Sequence, residues 1–218
     1  MGGLLQAFQS LGWATVKVTQ YGHGVCSIDG RPCGCQPSEH SFVLVEERNP
    51  QGRGDTCRFL AAGARRSLWL RVRQGQLAEA YPALERAVKG EHFVMIESNS
   101  ILDHLNPDLY IVVLDRSCRD FKTSARRFFA RADALVTVEP RSDAKAWPGI
   151  DLSMLENKPL FPVSISNYFS PQLCRFVSQK LTLPGVRCTV DSISPRGSTT
   201  VTSAVERGLH GETGDFHS

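Results

Sequence analysis

Two short stretches, FVMI (93–96) and LYIVVL (109–114), are almost continuously apolar. Runs of strand length without alternation suit strands covered on both faces, as in a parallel sheet between layers of helices. The segments 13–19, 41–47, 67–72, 92–98, 108–115 and 132–139 read as strands, being rich in β-branched and apolar residues. A last candidate, 159–165, contains Pro162. Pro162 has no N–H to give to a ladder, so this piece is expected at an edge.

The segments between these runs have helical spacing. Leu77, Ala80, Tyr81, Leu84, Ala87 and Val88 recur at three- and four-residue steps. Pro82 lies inside that stripe and predicts a kink or a late start. Phe121, Ala125, Phe128, Phe129 and Ala132 form a second stripe. Ser170–Pro171 reads as an N-cap and first helical residue, ahead of Leu173, Phe176, Val177 and Leu181. Alternating strands and helices predict an α/β fold, a mostly parallel sheet with helices on both faces. Residues 189–218 contrast with this, since fourteen of those thirty are Ser, Thr or Gly. They read as a disordered tail behind one domain over 1–188.

The chain's 218 residues are 41% hydrophobic, enough to bury a sizeable core. No apolar run reaches the roughly 18 residues that span a bilayer. MGGLLQAFQSLGW has neither a basic n-region nor a small-residue cleavage site, so no secretory signal is expected. The net charge of +3 is small and mixed, which argues against nucleic acid or a membrane as partner. Arg65–Arg66 and Arg126–Arg127 read as solvated faces. Seven cysteines, an odd number, favour reduced thiols and a cytoplasmic location.

Several residues can carry chemistry. Glu97 ends the apolar strand and is followed by Ser98 and Asn99. Ligands of open α/β sheets bind outside the carboxyl ends of strands, where a carboxylate can hold Mg²⁺ or position water. The bland alternative is that Glu97 marks the border of the core. Asp55 opens DTCRFLAAGA and is expected to cap a helix near other strand ends. Arg58, one turn on, can reach a phosphate or simply face solvent, and Gly63 is expected to end the helix.

His23, Cys26, Cys33 and Cys35 follow the pattern H-x2-C-x6-C-x-C, with His40 nearby, in a Gly- and Pro-containing loop. Thiolates and imidazoles suit Zn²⁺ or Ni²⁺, and four complete a tetrahedral site. The alternative is a loop of ordinary thiols. Cys57, Cys118, Cys174 and Cys188 lie in or beside apolar stretches and read as core residues. The chain contains no G-x-S-x-G, H-E-x-x-H, G-x-G-x-x-G or G-x-x-x-x-G-K-[ST]. Asn157–Lys158 lacks the Asp two places on that a guanine-specificity motif needs.

Taken in order, WATVKVTQYGHG, DTCRFLAAGARRSLWL, HFVMIESNSIL and PDLYIVVLD resemble P-loop nucleotide-binding proteins of the molybdopterin-guanine dinucleotide biosynthesis adaptor type. The wider group includes the nickel-insertion GTPases of hydrogenase and urease maturation. WATVKVT and His23 are similar to the family's second strand and its His-containing segment. DTCRFLAAGA is similar to its Asp-x-x-Arg…Ala-Gly-Ala helix, and FVMIESN to its Walker-B-type strand. DFKTSARRFFARADALV is similar to its later helix–strand unit. The likeness covers about residues 4–140.

This resemblance implies a P-loop NTPase-like domain that uses GTP or ATP with Mg²⁺ and serves an unknown client protein in molybdenum-cofactor or metallocentre assembly. It also implies a possible homodimer. Asp55, Arg58, Glu97 and Asn99 fall at nucleotide- and Mg²⁺-binding positions, with Asp55 and Glu97 in catalytic roles. The departure is at the beginning. The helix over Leu4, Leu5, Ala7, Phe8 and Leu11, closed by Gly12, has before it neither the first strand nor the phosphate-binding loop. Such a gap exposes two strand edges inside the sheet.

Either Met1 is internal to a longer natural protein, or the chain is a degenerate member that has lost nucleotide binding. As it stands the chain is expected to be nearly inactive. The competing class is a non-enzymatic metal-binding or interaction protein built on the Cys/His loop. A sheet whose middle is occupied by another part of the same chain would overturn the whole reading of a phosphate-handling domain whose opening segment is missing.

Overall fold

The apolar runs and their neighbours assemble into one sheet. In this computed structural model, residues 1–21, 40–115, 123–138, 157–164, 170–181 and 199–205 are described. The strands are β1 (Ala14–Tyr21), β2 (Phe42–Glu47), β3 (Arg66–Arg73), β4 (Phe93–Glu97), β5 (Leu109–Asp115), β6 (Ala134–Val138), β7 (Leu160–Val163) and β8 (Thr199–Val205). The helices are α1 (Gly2–Ala7), α2 (Asp55–Ala61), α3 (Leu77–Val88), α4 (Thr123–Phe128) and α5 (Pro171–Lys180). Among the described residues the sheet order is β2-β3-β1-β4-β8-β5-β6-β7. Every pairing is parallel except the antiparallel edge pair β2–β3. The chain is thus α/β with a mostly parallel sheet and a core on each face. Pro162 lies in β7, at the sheet's outer edge, as its missing N–H requires.

Alternation along the strands sorts the core. Val16, Leu68, Leu70, Val94, Ile96, Val112 and Leu114 meet Leu77, Ala80 and Leu84 of α3 and the short 3-10 turn Ser100–Asp103 on one face. Trp13, Met95, Leu109, Ile111, Ala134 and Val136 meet α1, α2 and α5 on the other. Connections running toward β7 (β3 to β4, β5 to β6) use the α3 and α4 side. Those running back (β1 toward β3, β7 toward β8) use the α2 and α5 side. Opposite faces for opposite directions are what a single, right-handed crossover requires.

Four expectations need correction. First, the gap expected from a missing first strand does not exist, because the middle of the sheet is not open. Thr199–Val205, expected as part of a disordered tail, runs parallel between β4 and β5 and pairs with both. Its sequence, TTVTSAV, is β-branched enough to hold a strand, and the slot offers backbone partners on both sides. Second, of the kink or late start expected at Pro82, the late start does not occur: α3 begins at Leu77, with Pro82 inside it. The Ala78 carbonyl that Pro82 cannot bond lies on the exposed side.

Third, Arg65–Arg66 is only in part a solvated face: Arg65 is exposed, as expected, but Arg66 is not. Arg66 bridges Glu46 and Glu91, and Arg65 also reaches the buried Glu91. Fourth, Asp55 does not cap α2. Gly54 is the N-cap and Asp55 the first helical residue. Other features follow the sequence reading. Ser170 Oγ accepts the Leu173 N–H at 3.2 Å. Gly63 follows α2 at φ +99°, where a side chain would be strained.

Candidate functional site

The two directions of travel part between β1 and β4. From β1 the chain moves toward β3 and β2, and from β4 toward β5, β6 and β7. Such a switch point opens a crevice outside the carboxyl ends of the strands. Here β4 also stops early. Its last residue, Glu97, is in register with Lys17 of β1 and Ser203 of β8. β1 runs on to Tyr21 beside β3, and β8 to Val205. Among the strands, Glu97 therefore lies at the floor of a notch.

Lys17 and Glu97 share the sheet face of Trp13 and Met95, and their side chains form an ion pair. The Lys17 ammonium also meets Asp55 at 3.1 Å, and Arg58 pairs with Asp55 across one turn of α2. Glu97 is 5% exposed, whereas Lys17 and Asp55 are about one-fifth open to solvent. The group thus reaches the surface through its cation and through Asp55.

The local sequence holds Asp55 there. Glu47, at the end of β2, accepts hydrogen bonds from Thr56 Oγ1 and Cys57 Sγ, both at 3.2 Å. The Asn49 amide, then the Cys57 thiol, hold the Glu47 carboxyl below the usual range. Burial, and then Glu47, push the Cys57 thiol up, so it is a packed thiol and not a nucleophile. In the turn before α2, a Cβ at Gly52 would overlap the Cys57 sulfur. This position needs glycine for close approach.

Beside Lys17, in register across β1–β3, stands Trp69. Its indole N–H donates to Thr19 Oγ1 at 3.0 Å, and the Arg71 guanidinium lies 4.9 Å from its ring centroid. From the pair with α2 outward the face is therefore polar and aromatic: Lys17, Thr19, Trp69 and Arg71. Sequence reasoning missed these four. The available signal was alternation, since WATVKVT and SLWLRV place polar and amphipathic residues at every second position.

The sequence-derived candidates are thus partly united. Glu97, Asp55 and Arg58 belong to one ion-pair chain through Lys17. Asn99 lies two residues past Glu97, just before the 3-10 turn. His23, Cys26, Cys33 and Cys35 lie outside the described residues. His40 is exposed, and its carbonyl accepts the Tyr21 hydroxyl at 3.0 Å. Among the described residues no group of three or more His, Cys, Asp or Glu is placed to hold a metal. Cys57 and Cys174 are buried, as expected of core thiols. Lys158 donates to the Ala130 and Ala132 carbonyls.

As a donor set for Mg²⁺, Glu97 and Asp55 fit by type, being hard oxygen ligands. By charge they do not, because the Lys17 ammonium already bridges them. Comparison of the chain with protein-family models, curated proteins and solved structures finds no match. Among the described residues no helix is long and apolar enough to cross a membrane.

Proposed function

We propose that the chain holds a nucleotide, GTP or ATP, weakly and does not turn it over; a role as an accessory protein of molybdenum-cofactor or metallocentre assembly rests on the sequence resemblance alone, and the filled middle of the sheet counts against that resemblance. The Lys17–Glu97 pair at the floor of the notch carries this reading: an ammonium and a carboxylate at the switch point of a parallel sheet, where phosphate ligands of such sheets bind. In this reading Lys17 and Arg58 receive phosphate oxygens as charge-assisted donors. Glu97 and Asp55 hold and orient those two cationic side chains. The polar face with Trp69 and Arg71 lies alongside.

Weakness follows from a motif that the sequence lacks. A strong phosphate site needs a backbone N–H cradle and a lysine from a G-K-[ST] loop. The strand next to Glu97 is β8, and the residues after it in sequence, Glu206 to Thr213 (ERGLHGET), contain no Gly-Lys.

Isothermal titration with Mg·GTP and Mg·ATP tests the reading. A dissociation constant weaker than about 100 µM, near −5.5 kcal/mol, is expected. Lys17→Gln should weaken it about tenfold, the loss of one charge-assisted hydrogen bond. Absence of binding at millimolar nucleotide overturns the reading. Low-micromolar affinity contradicts its claim of a missing cradle.

A further inference from the structure

The ion-pair chain at the notch has an arrangement that a purely structural salt bridge does not need. One ammonium sits between two carboxylates drawn from different elements, Glu97 of β4 and Asp55 of α2. Glu97 is nearly closed off from water, so its charge must be met from within the protein. Lys17 meets it, and Arg58 supplies a second positive charge to Asp55 from the solvent side. The four side chains carry two negative and two positive charges, so the notch is formally neutral.

A divalent cation entering there would face both carboxylates, but also an ammonium within bonding distance of each. The repulsion between that ammonium and a doubly charged ion opposes the attraction of the carboxylates in a partly desolvated site. Lysine suits this position for a physical reason. Its ammonium is a compact point charge on a flexible stem, whereas arginine's planar fork would lock onto one carboxylate.

We propose that Lys17 is an internal stand-in for a divalent cation. While its ammonium bridges Glu97 and Asp55 the notch excludes Mg²⁺-type ions, and removing the ammonium converts the pair into a divalent-cation site. Lys17 is thus a specificity-determining residue. It makes the resting protein indifferent to free divalent ions, and only an anion that draws the ammonium away exposes the two carboxylates. The exclusion itself does not depend on the nucleotide reading. Only the identity of that anion rests on it.

Mn²⁺ titration without nucleotide, followed by the loss of the free-ion electron paramagnetic resonance signal, tests the exclusion alone. The wild-type chain and Lys17→Arg should bind no Mn²⁺ at this notch. Lys17→Met should bind one equivalent, at least about tenfold more tightly than the weakest binding the titration would detect in the wild type, because one adjacent repulsive charge is gone. Lys17→Met combined with Glu97→Gln should return to wild-type behaviour. If Lys17→Met unfolds for want of a partner for Glu97, millimolar Mn²⁺ should restore its folding, read by circular dichroism.

The proposal is overturned if the wild type binds Mn²⁺ at Glu97 as tightly as Lys17→Met. It is equally overturned if folded Lys17→Met gains no affinity, or if unfolded Lys17→Met is not rescued by the ion. None of these outcomes bears on whether nucleotide binds, so the two readings fail separately.

Discussion

The two ends of the sheet carry similar charges to different ends. At the amino end, Glu91 is buried between Arg65 and Arg66, and Arg66 also clasps Glu46 and donates to the Ala87 carbonyl. At the carboxyl end, Lys17 alone bridges Glu97 and Asp55. The first arrangement uses forked guanidiniums to tie β2, β3 and the end of α3 together, a staple in which a single carboxylate has several fixed donors. The second uses a point charge at the floor of a notch that reaches solvent. Arginine forks fix geometry, whereas an ammonium can exchange partners. The contrast fits a structural role at one end of the sheet and, on the proposed reading, ligand chemistry at the other.

The difference can be broken by mutation. Lys17→Met should have the largest effect, about 3–5 kcal/mol of lost stability, because it leaves Glu97 as an uncompensated buried charge. Adding Glu97→Gln should recover most of that loss in urea unfolding. Failure to recover would mean that Lys17 acts through packing.

Glu91→Gln at the other end should cost about 1.5–3 kcal/mol, the range for hydrogen bonds to charged groups. It should leave nucleotide titration unchanged, and an altered affinity would erase the division between the two ends.

Acid sharpens the same comparison. Burial pushes the Glu91 carboxyl up, but the hydrogen bonds and charges of Arg66 and Arg65 outweigh it and hold the group below its usual value. A depressed carboxylate stabilises the fold above its unfolded pKa, about 4.3, and loses that contribution as pH falls through the folded value. Thermal unfolding of the wild type should therefore drop below that pH more steeply than that of Glu91→Gln. Parallel curves would contradict the staple. The smallest effect belongs to the exposed Arg127–Asp103 pair, 2.7 Å apart. Asp103→Asn should change stability by less than about 1 kcal/mol.

Much of this architecture was legible in the sequence because it depends on local periodicity. The unbroken runs at 93–96 and 109–114 mark buried parallel strands, and Pro162 marks an edge. Ser170–Pro171 marks a helix start. What was not legible depends on pairing between distant segments. TTVTSAV is polar enough to read as tail, and only the vacant edges of β4 and β5 give it a place. Asp55 reads as a cap because its residue type favours capping, but Gly54 supplies the cap and Lys17 takes the carboxylate.

At the candidate site, Glu97 was legible from its position at the end of an apolar run. Lys17 was not. Its meaning comes from the register that sets it opposite Glu97, which no local pattern contains.

Two indoles mark the two ends. Trp13 is buried before β1 and donates to the Phe8 carbonyl, whereas Trp69 stands in register with Lys17. The indole N–H resonances, assigned with Trp13→Phe and Trp69→Phe, can be followed during titration of the wild-type chain with Mg·GTP or Mg·ATP. A progressive, saturable shift of the Trp69 signal with Trp13 unmoved is the predicted result. A shift confined to Trp13, or none at either indole with nucleotide in the millimolar range, would contradict a ligand site at the notch.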